Sequence, residues 1–235
     1  MRLLYINPNS TEALTESIVE VARQAMPEAE VLGWTNDEGP PAIQGAKDGE
    51  AAVSGVMQLL PKAREAGVDA IVIACFDDTG LAETRAAAHC PVLGIGQSAF
   101  HMAALLGHRF AVVTTLPISV PVIEGNISVY GFGRNCVGVR PCGLGVLAVE
   151  AGGEHVLERI AGEIEGAERD GAGAVLLGCA GMSRHRVALA ARTGPVIVDG
   201  VEASAFLAEA AYRGATRSEN AARQAAIHSA ADGLA

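Results

Sequence analysis

Five cysteines, Cys75, Cys90, Cys136, Cys142 and Cys179, are the most reactive groups in the chain. No two have C-x-x-C spacing, and no His/Cys cluster has the spacing of a zinc site. Two of them stand in matching surroundings. Gly67-Val68-Asp69-Ala70-Ile71-Val72-Ile73-Ala74-Cys75 echoes Gly171-Ala172-Gly173-Ala174-Val175-Leu176-Leu177-Gly178-Cys179, an offset of 179 − 75 = 104. Cys90-Pro91-Val92-Leu93 echoes Gly194-Pro195-Val196-Ile197 at the same offset of 104. One offset held across two strands and the helix between them marks a duplicated unit. A single cysteine at a strand end is most often a small buried hydrophobe. Two in register within a duplicated fold are instead candidates for paired chemistry. Cys90, Cys136 and Cys142 have no repeat partner and read as core or incidental thiols.

The chemistry open to two facing thiols is proton transfer at carbon. Inverting a carbon acid needs a base on one face and an acid on the other, and like residues can exchange those roles with the hand of the substrate. A thiol, with an ordinary pKa near 8.5, serves as either once tuned toward the working pH. Cys75 precedes Phe76-Asp77-Asp78-Thr79-Gly80 and a helix expected from about Leu81. Cys179 precedes Ala180-Gly181-Met182-Ser183 and a helix expected from about Arg184. Free N–H groups at those helix starts predict a lowered thiol pKa and a place for developing negative charge. Other polar strand ends are candidates for the same crevice. They are Asn7-Pro8-Asn9-Ser10-Thr11, where Asn9 and Glu12 resemble a capping box, and Thr114-Thr115-Leu116-Pro117. Plain helix capping is the alternative for each.

Several absences narrow the classes. Lys47, in a loop or helix start, and Lys62, on a solvated helix face, are the only lysines, and neither ends a strand. That argues against a pyridoxal Schiff base. No GxGxxG or P-loop pattern occurs, so a nucleotide cofactor is not expected; Gly94-Ile95-Gly96-Gln97 reads as a tight turn. The histidines do not cluster: His101 and His108 read as packing or capping residues, and His185 is a candidate to tune Cys179. A net charge of −10 and 4% aromatic residues exclude nucleic acid as a partner, by repulsion and for want of stacking platforms. No apolar run reaches 18 residues, so no membrane partner is expected. The odd cysteine count and the short apolar run before Asn7-Pro8 predict a reducing, cytoplasmic setting.

Positioning these residues requires strand ends. Continuous apolar runs at Leu3–Ile6, Glu30–Trp34, Ala70–Ala74, Val92–Gly94, Phe110–Thr114, Val137–Arg140, Ala174–Gly178 and Val196–Val198 read as strands buried on both faces of parallel sheets. Helical stretches such as Thr11–Met26, Glu50–Ala66 and Glu154–Asp170 lie between them. The alternation predicts an α/β fold. With the repeat, it becomes two pseudo-symmetric lobes, each a four-stranded parallel sheet flanked by helices, with an active site in the cleft between them. The expected division is residues 1–98 plus 202–235 for the first lobe and 99–201 for the second. Cys75 and Cys179 then end equivalent strands, where parallel sheets bind ligands.

With these residues in place, the sequence resembles the aspartate/glutamate/hydantoin racemase superfamily, and within it the hydantoin and allantoin racemases. The resemblance runs from about Leu3 to Tyr212. It is carried by Ile6-Asn7-Pro8-Asn9, Pro41-Ala42-Ile43-Gln44-Gly45, Cys75-Phe76-Asp77-Asp78-Thr79-Gly80-Leu81, Val112-Val113-Thr114-Thr115-Leu116-Pro117, Leu177-Gly178-Cys179-Ala180-Gly181-Met182 and Pro195-Val196-Ile197-Val198-Asp199-Gly200. It implies cofactor-free proton transfer by Cys75 and Cys179 on a cyclic ureide, a 5-substituted hydantoin or allantoin. It implies that loop backbone after the strands holds the ring, at Asn9, Ile43, Phe76, Asp77, Thr114, Thr115, Gly178, Ala180 and Gly181. It also implies a homo-oligomer, and a C-terminal helix returning to the first lobe. The sequence departs from the family pattern where Asp77-Asp78-Thr79 stands for Gly-Asp-Pro, and where Gln44 and Gln97 stand for Glu, all expected near the cleft. A carboxylate beside Cys75 predicts a raised thiol pKa.

Two other readings stay open at this level. One is an amino-acid racemase on the same scaffold, although no Arg or Lys ends a strand to receive an α-carboxylate. The other is a non-catalytic small-molecule sensor, in which the two thiols would not share a cavity.

Overall fold

The computed structural model describes residues 1–232, with side chains to Thr216. Residues 233–235 of the expected first lobe lie outside the described residues.

Among the described residues, eight parallel strands form two sheets of four. β1 (Arg2–Asn7), β2 (Glu30–Thr35), β3 (Ala70–Ile73) and β4 (Val92–Gly94) are ordered β2-β1-β3-β4. β5 (Phe110–Thr114), β6 (Cys136–Pro141), β7 (Ala174–Leu177) and β8 (Val196–Asp199) are ordered β6-β5-β7-β8. The two orders are the same, so the duplicated sequence folds into duplicated sheets. The central strands β1, β3, β5 and β7 are buried along nearly their whole length, which is why they read as unbroken apolar runs.

The helices are α1 (Glu12–Ala25), α2 (Ala46–Gln58), α3 (Leu60–Glu65), α4 (Leu81–Ala87), α5 (Ile95–Leu105), α6 (Val120–Val129), α7 (Val146–Ala151), α8 (Glu154–Arg169), α9 (Arg186–Ala190) and α10 (Gly200–Asp232). The single helix expected over Glu50–Ala66 is two, α2 and α3, joined at Leu59, with Pro61 in the first turn of α3. A proline there needs no N–H donor and suits a helix start. Lys47 falls in the first turn of α2, and Lys62 lies on an exposed helix face, its ammonium 4.7 Å from the Trp34 ring centroid.

The two sheets are joined by helices that serve both. Phe100 on α5 lies with its ring 5.6 Å from Phe76, which follows β3, and 5.8 Å from Phe110 in β5. α10 leaves β8 and packs on α1, α5, β3 and β4. Tyr5 of β1 donates to the Val201 carbonyl at 3.1 Å and lies 3.0 Å from the Ser204 hydroxyl. The chain positions 98/99 and 201/202 therefore fall within α5 and α10, continuous helices that cross between the sheets. No helix among the described residues is long and apolar enough to cross a membrane.

Candidate active site

Cys75 lies two residues beyond Ile73, the end of β3, and Cys179 two residues beyond Leu177, the end of β7. Each opens a tight turn of the same kind. The Asp78 N–H donates to the Cys75 carbonyl at 3.0 Å, and the Met182 N–H to the Cys179 carbonyl at 2.9 Å. The two turns are anchored differently. Asp78 is buried with φ +51°, in the left-handed region that few non-glycine residues adopt. Its carboxylate receives the backbone N–H groups of Gly96 (3.0 Å) and Gln97 (2.8 Å) at the start of α5, and the Tyr130 hydroxyl at 3.1 Å. A methyl group on Gly94 or Gly96 would strike this arrangement, the first at the Asp78 carboxylate and the second at the Phe76 carbonyl. The Gly94-x-Gly96 segment is thus a cradle for Asp78 as well as a turn. In the second lobe the Ser183 hydroxyl donates to Asp199 Oδ1 at 2.7 Å, and that oxygen also receives the Val201 N–H at 3.0 Å, at the start of α10.

Contacts between the lobes close the site from outside. Asn126 of α6 donates to the Asp77 carbonyl at 2.9 Å, next to the Tyr130–Asp78 bond. The Gln44 side-chain oxygen accepts the Val146 N–H at 3.3 Å, at the start of α7.

Both thiols line one small cavity of about 30 Å³, together with Asn9, Ile43, Phe76, Asp77, Thr114, Thr115, Gly178 and Ala180. Of the residues expected around the site, only Gly181 is not in its wall. Gly181 instead directs its backbone N–H to the Cys179 sulfur. The wall also contains Leu14, Ala74, Ser119 and Val146. Ser119 was within reach of strand-end reasoning, because it follows Thr114-Thr115-Leu116-Pro117. Leu14 and Val146 carry no signal, being two apolar helix residues among many. A space of this size holds about one water. A larger groove of about 620 Å³ lies between α1 and the turn after Cys179, but it contains neither thiol; its charges include the Arg184–Glu150 and Arg186–Glu202 pairs.

Asn9 is held by its oxygen, which receives the Asn7 side-chain amide at 3.0 Å and the Thr11 N–H at 2.9 Å. This replaces the expected capping box: Thr11, not Asn9, caps α1, and no side chain caps it. The Asn9 amide nitrogen keeps no partner among the described residues. Thr114 donates its hydroxyl to the Gly178 carbonyl at 3.1 Å, tying the ends of β5 and β7 together.

The electrostatics reverse one expectation. Burial pushes the Cys75 thiol well above its ordinary range, and the nearby Asp77 carboxylate pushes it further. The Thr79 hydroxyl, 3.5 Å from the sulfur, and the Asp77 N–H pull it back in part. Burial raises Cys179 to about 12, against the Gly181 N–H and with Asp77 and Glu150 adding to the rise. The lowered pKa expected from helix starts is therefore outweighed. The helix after Cys179 does not wait for Arg184; the chain enters 3₁₀ turns over Ala180–His185 before α9. Desolvation of a sulfur anion exceeds what a few N–H groups in so short a segment return. His185 gives its ring nitrogen to the Val149 carbonyl at 2.9 Å, away from the thiol.

Of the three departures from the family pattern, only Asp77 enters the cavity. The Gln44 side chain holds the α7 start, and the Gln97 side chain turns outward to Arg85. The cavity wall contains no lysine or arginine, and its ionisable groups are Cys75, Asp77 and Cys179. Such a site suits a neutral or weakly acidic ligand. Two thiols on so small a space can serve one carbon as base and acid.

Two like sheets with a small cavity between their strand ends describe a two-lobed α/β enzyme of the racemase class, an isomerase. The chain belongs to the Asp/Glu/hydantoin racemase family, whose family model matches residues 3–208. It is 42% identical over 212 residues to a hydantoin racemase of Rhizobium meliloti, covering 89% of this chain and 88% of that one. Its fold superimposes on the allantoin racemase from Klebsiella pneumoniae with a TM-score of 0.85 and 37% identity, covering 89% of this chain and 86% of that one. The allantoin racemase from Pseudomonas fluorescens gives a TM-score of 0.84 and 34% identity, with 91% of each chain covered.

Proposed function

We propose that this protein racemises a cyclic ureide, a 5-substituted hydantoin or allantoin, without a cofactor. One thiolate of the Cys75/Cys179 pair removes the C5 proton, and the opposite thiol returns a proton to the other face. The roles exchange with the hand of the substrate. The reading rests on one observation: a thiol from each lobe lines the same cavity, at equivalent strand ends. A ring C–H flanked by a carbonyl and a nitrogen is the kind of carbon acid such a site can ionise.

The ring is held by Asn9, Ile43, Phe76, Asp77, Thr114, Thr115, Gly178 and Ala180, with Gly181 acting through the Cys179 sulfur. The partnerless Asn9 amide is a ready donor to a ring carbonyl. An aspartate or glutamate substrate is less suited, because no cation in the wall would meet its carboxylates. Residues 1–98 plus 202–232 and 99–201 form the two lobes that hold the ring between them. The protein works in the cytoplasm as a homo-oligomer.

Solvent deuterium exchange tests the reading. Single enantiomers of allantoin, of 5-substituted hydantoins and of aspartate or glutamate are incubated in D₂O. Loss of rotation together with label at the stereocentre is expected for the ureides. Exchange of the amino acids alone would overturn it.

A further inference from the structure

Asp77 is the one carboxylate in the cavity wall, and its position is fixed from both lobes. Its carbonyl receives the Asn126 side chain of α6, and the next residue is held by Gly96, Gln97 and Tyr130. Its own carboxylate receives no hydrogen bond and no cation among the described residues. No cation lies among the charged and titratable groups around it. Cys75 and Cys179 face the same cavity, Asp78 turns to α5, and Arg85 reaches Gln97 on the outside. A half-buried carboxylate without a protein donor is free to accept one from a ligand in the cavity.

We propose that the Asp77 side chain selects the C5 substituent, favouring substrates that present N–H donors there, such as a ureido, carbamoyl or cationic nitrogen group, and rejecting a carboxylate. The inference rests on the cyclic-ureide reading above and narrows it. The substituent's N–H groups point to the Asp77 oxygens while the ring carbon lies between the thiols. A bound donor also offsets the negative charge that otherwise acts on both sulfurs, so the favoured substrates ease thiolate formation as they bind. Burial raises the Asp77 carboxyl to about 7, so it is mostly ionised at pH 8 and the selection is strongest there.

The test compares 5-(carbamoylmethyl)hydantoin with 5-(carboxymethyl)hydantoin, near-isosteres that differ in charge and donors. Binding is read by calorimetry and turnover by deuterium exchange, both at pH 8. The unmodified protein is expected to prefer the carbamoyl compound by about tenfold or more, or about 1.4 kcal/mol per factor of ten. Asp77→Asn should compress that preference to about twofold or less, and Asp77→Glu should retain it. If Asp77→Asn does not fold, Asp77→Ser takes its place. An equal preference in the unmodified protein and the Asn or Ser variant overturns the assignment. Binding that ranks as expected without any exchange keeps the assignment and overturns the racemase reading. Exchange of both compounds with no preference does the opposite.

Discussion

At the scale of single residues, the two thiols are protonated over the neutral range, because burial outweighs the N–H groups directed at them. A thiolate therefore forms at a cost that the substrate complex must offset. Alkylation of Cys75 and Cys179 by iodoacetamide, followed by mass spectrometry, should be slow at pH 7 and rise about tenfold per pH unit through pH 9. Rates already level at pH 8 would show that the sulfurs ionise more easily than their burial implies. Replacing one thiol separates the two faces. Cys75→Ser and Cys179→Ser should each lose racemisation by about 10²- to 10⁴-fold, while each still exchanges the C5 proton of one enantiomer, a different one in each variant. Equal loss of exchange for both hands in both variants would count against face-specific bases.

At the scale of elements, the site depends on helix starts more than on the strands themselves. The Cys75 turn is held because Asp78 bonds to the first N–H groups of α5, and that approach exists only because residues 94 and 96 lack a Cβ. Gly96→Ala should destabilise the fold by about 1–3 kcal/mol in urea titration, since the Phe76 carbonyl and Asp78 must both give way. It should also lower kcat, because Asp77 and Cys75 ride on the displaced turn. A variant with unchanged stability and rate would mean that the turn is held by other contacts.

For the whole molecule, carboxyls raised by burial contribute to the pH dependence of stability, among them Asp77, Asp78, Glu150 and Asp199. Burial raises Asp77 and Asp78 to about 7 and Asp199 to about 6. Each binds its proton more tightly in the folded state than in the unfolded chain, where aspartate titrates near 3.9. The folded state then holds more protons between about pH 4 and 7, so stability should fall as pH rises through that window and level above it. Thermal midpoints between pH 4.5 and 8 check this. A rise across the same window would place these carboxyls in their ionised form within the fold. Asp199→Asn should flatten the lower part of the slope.

Much of this was legible from local pattern. The central strands show as apolar runs because they are buried on both faces, while the half-exposed β2 and β6 show more weakly, and the repeat shows because duplication keeps its register along the chain. Cys75 and Cys179 stand out for the same reason, and strand ends also point to Asn9, Thr114 and Thr115, while Ile43, Phe76, Asp77, Gly178 and Ala180 follow only from the family resemblance. What pattern could not supply came from groups far apart in sequence. Leu14 and Val146 join the wall through packing alone. The reversal of the thiol pKa depends mainly on how completely the sulfurs lose water, a property of the packed site, with the flanking Asp77 adding to it. Asp77 differs from Gln44 and Gln97 only in where its side chain ends. The fold turns Gln97 outward to Arg85, sets Gln44 against the α7 start, and leaves the Asp77 carboxylate beside Cys75, facing the cavity without a partner among the described residues.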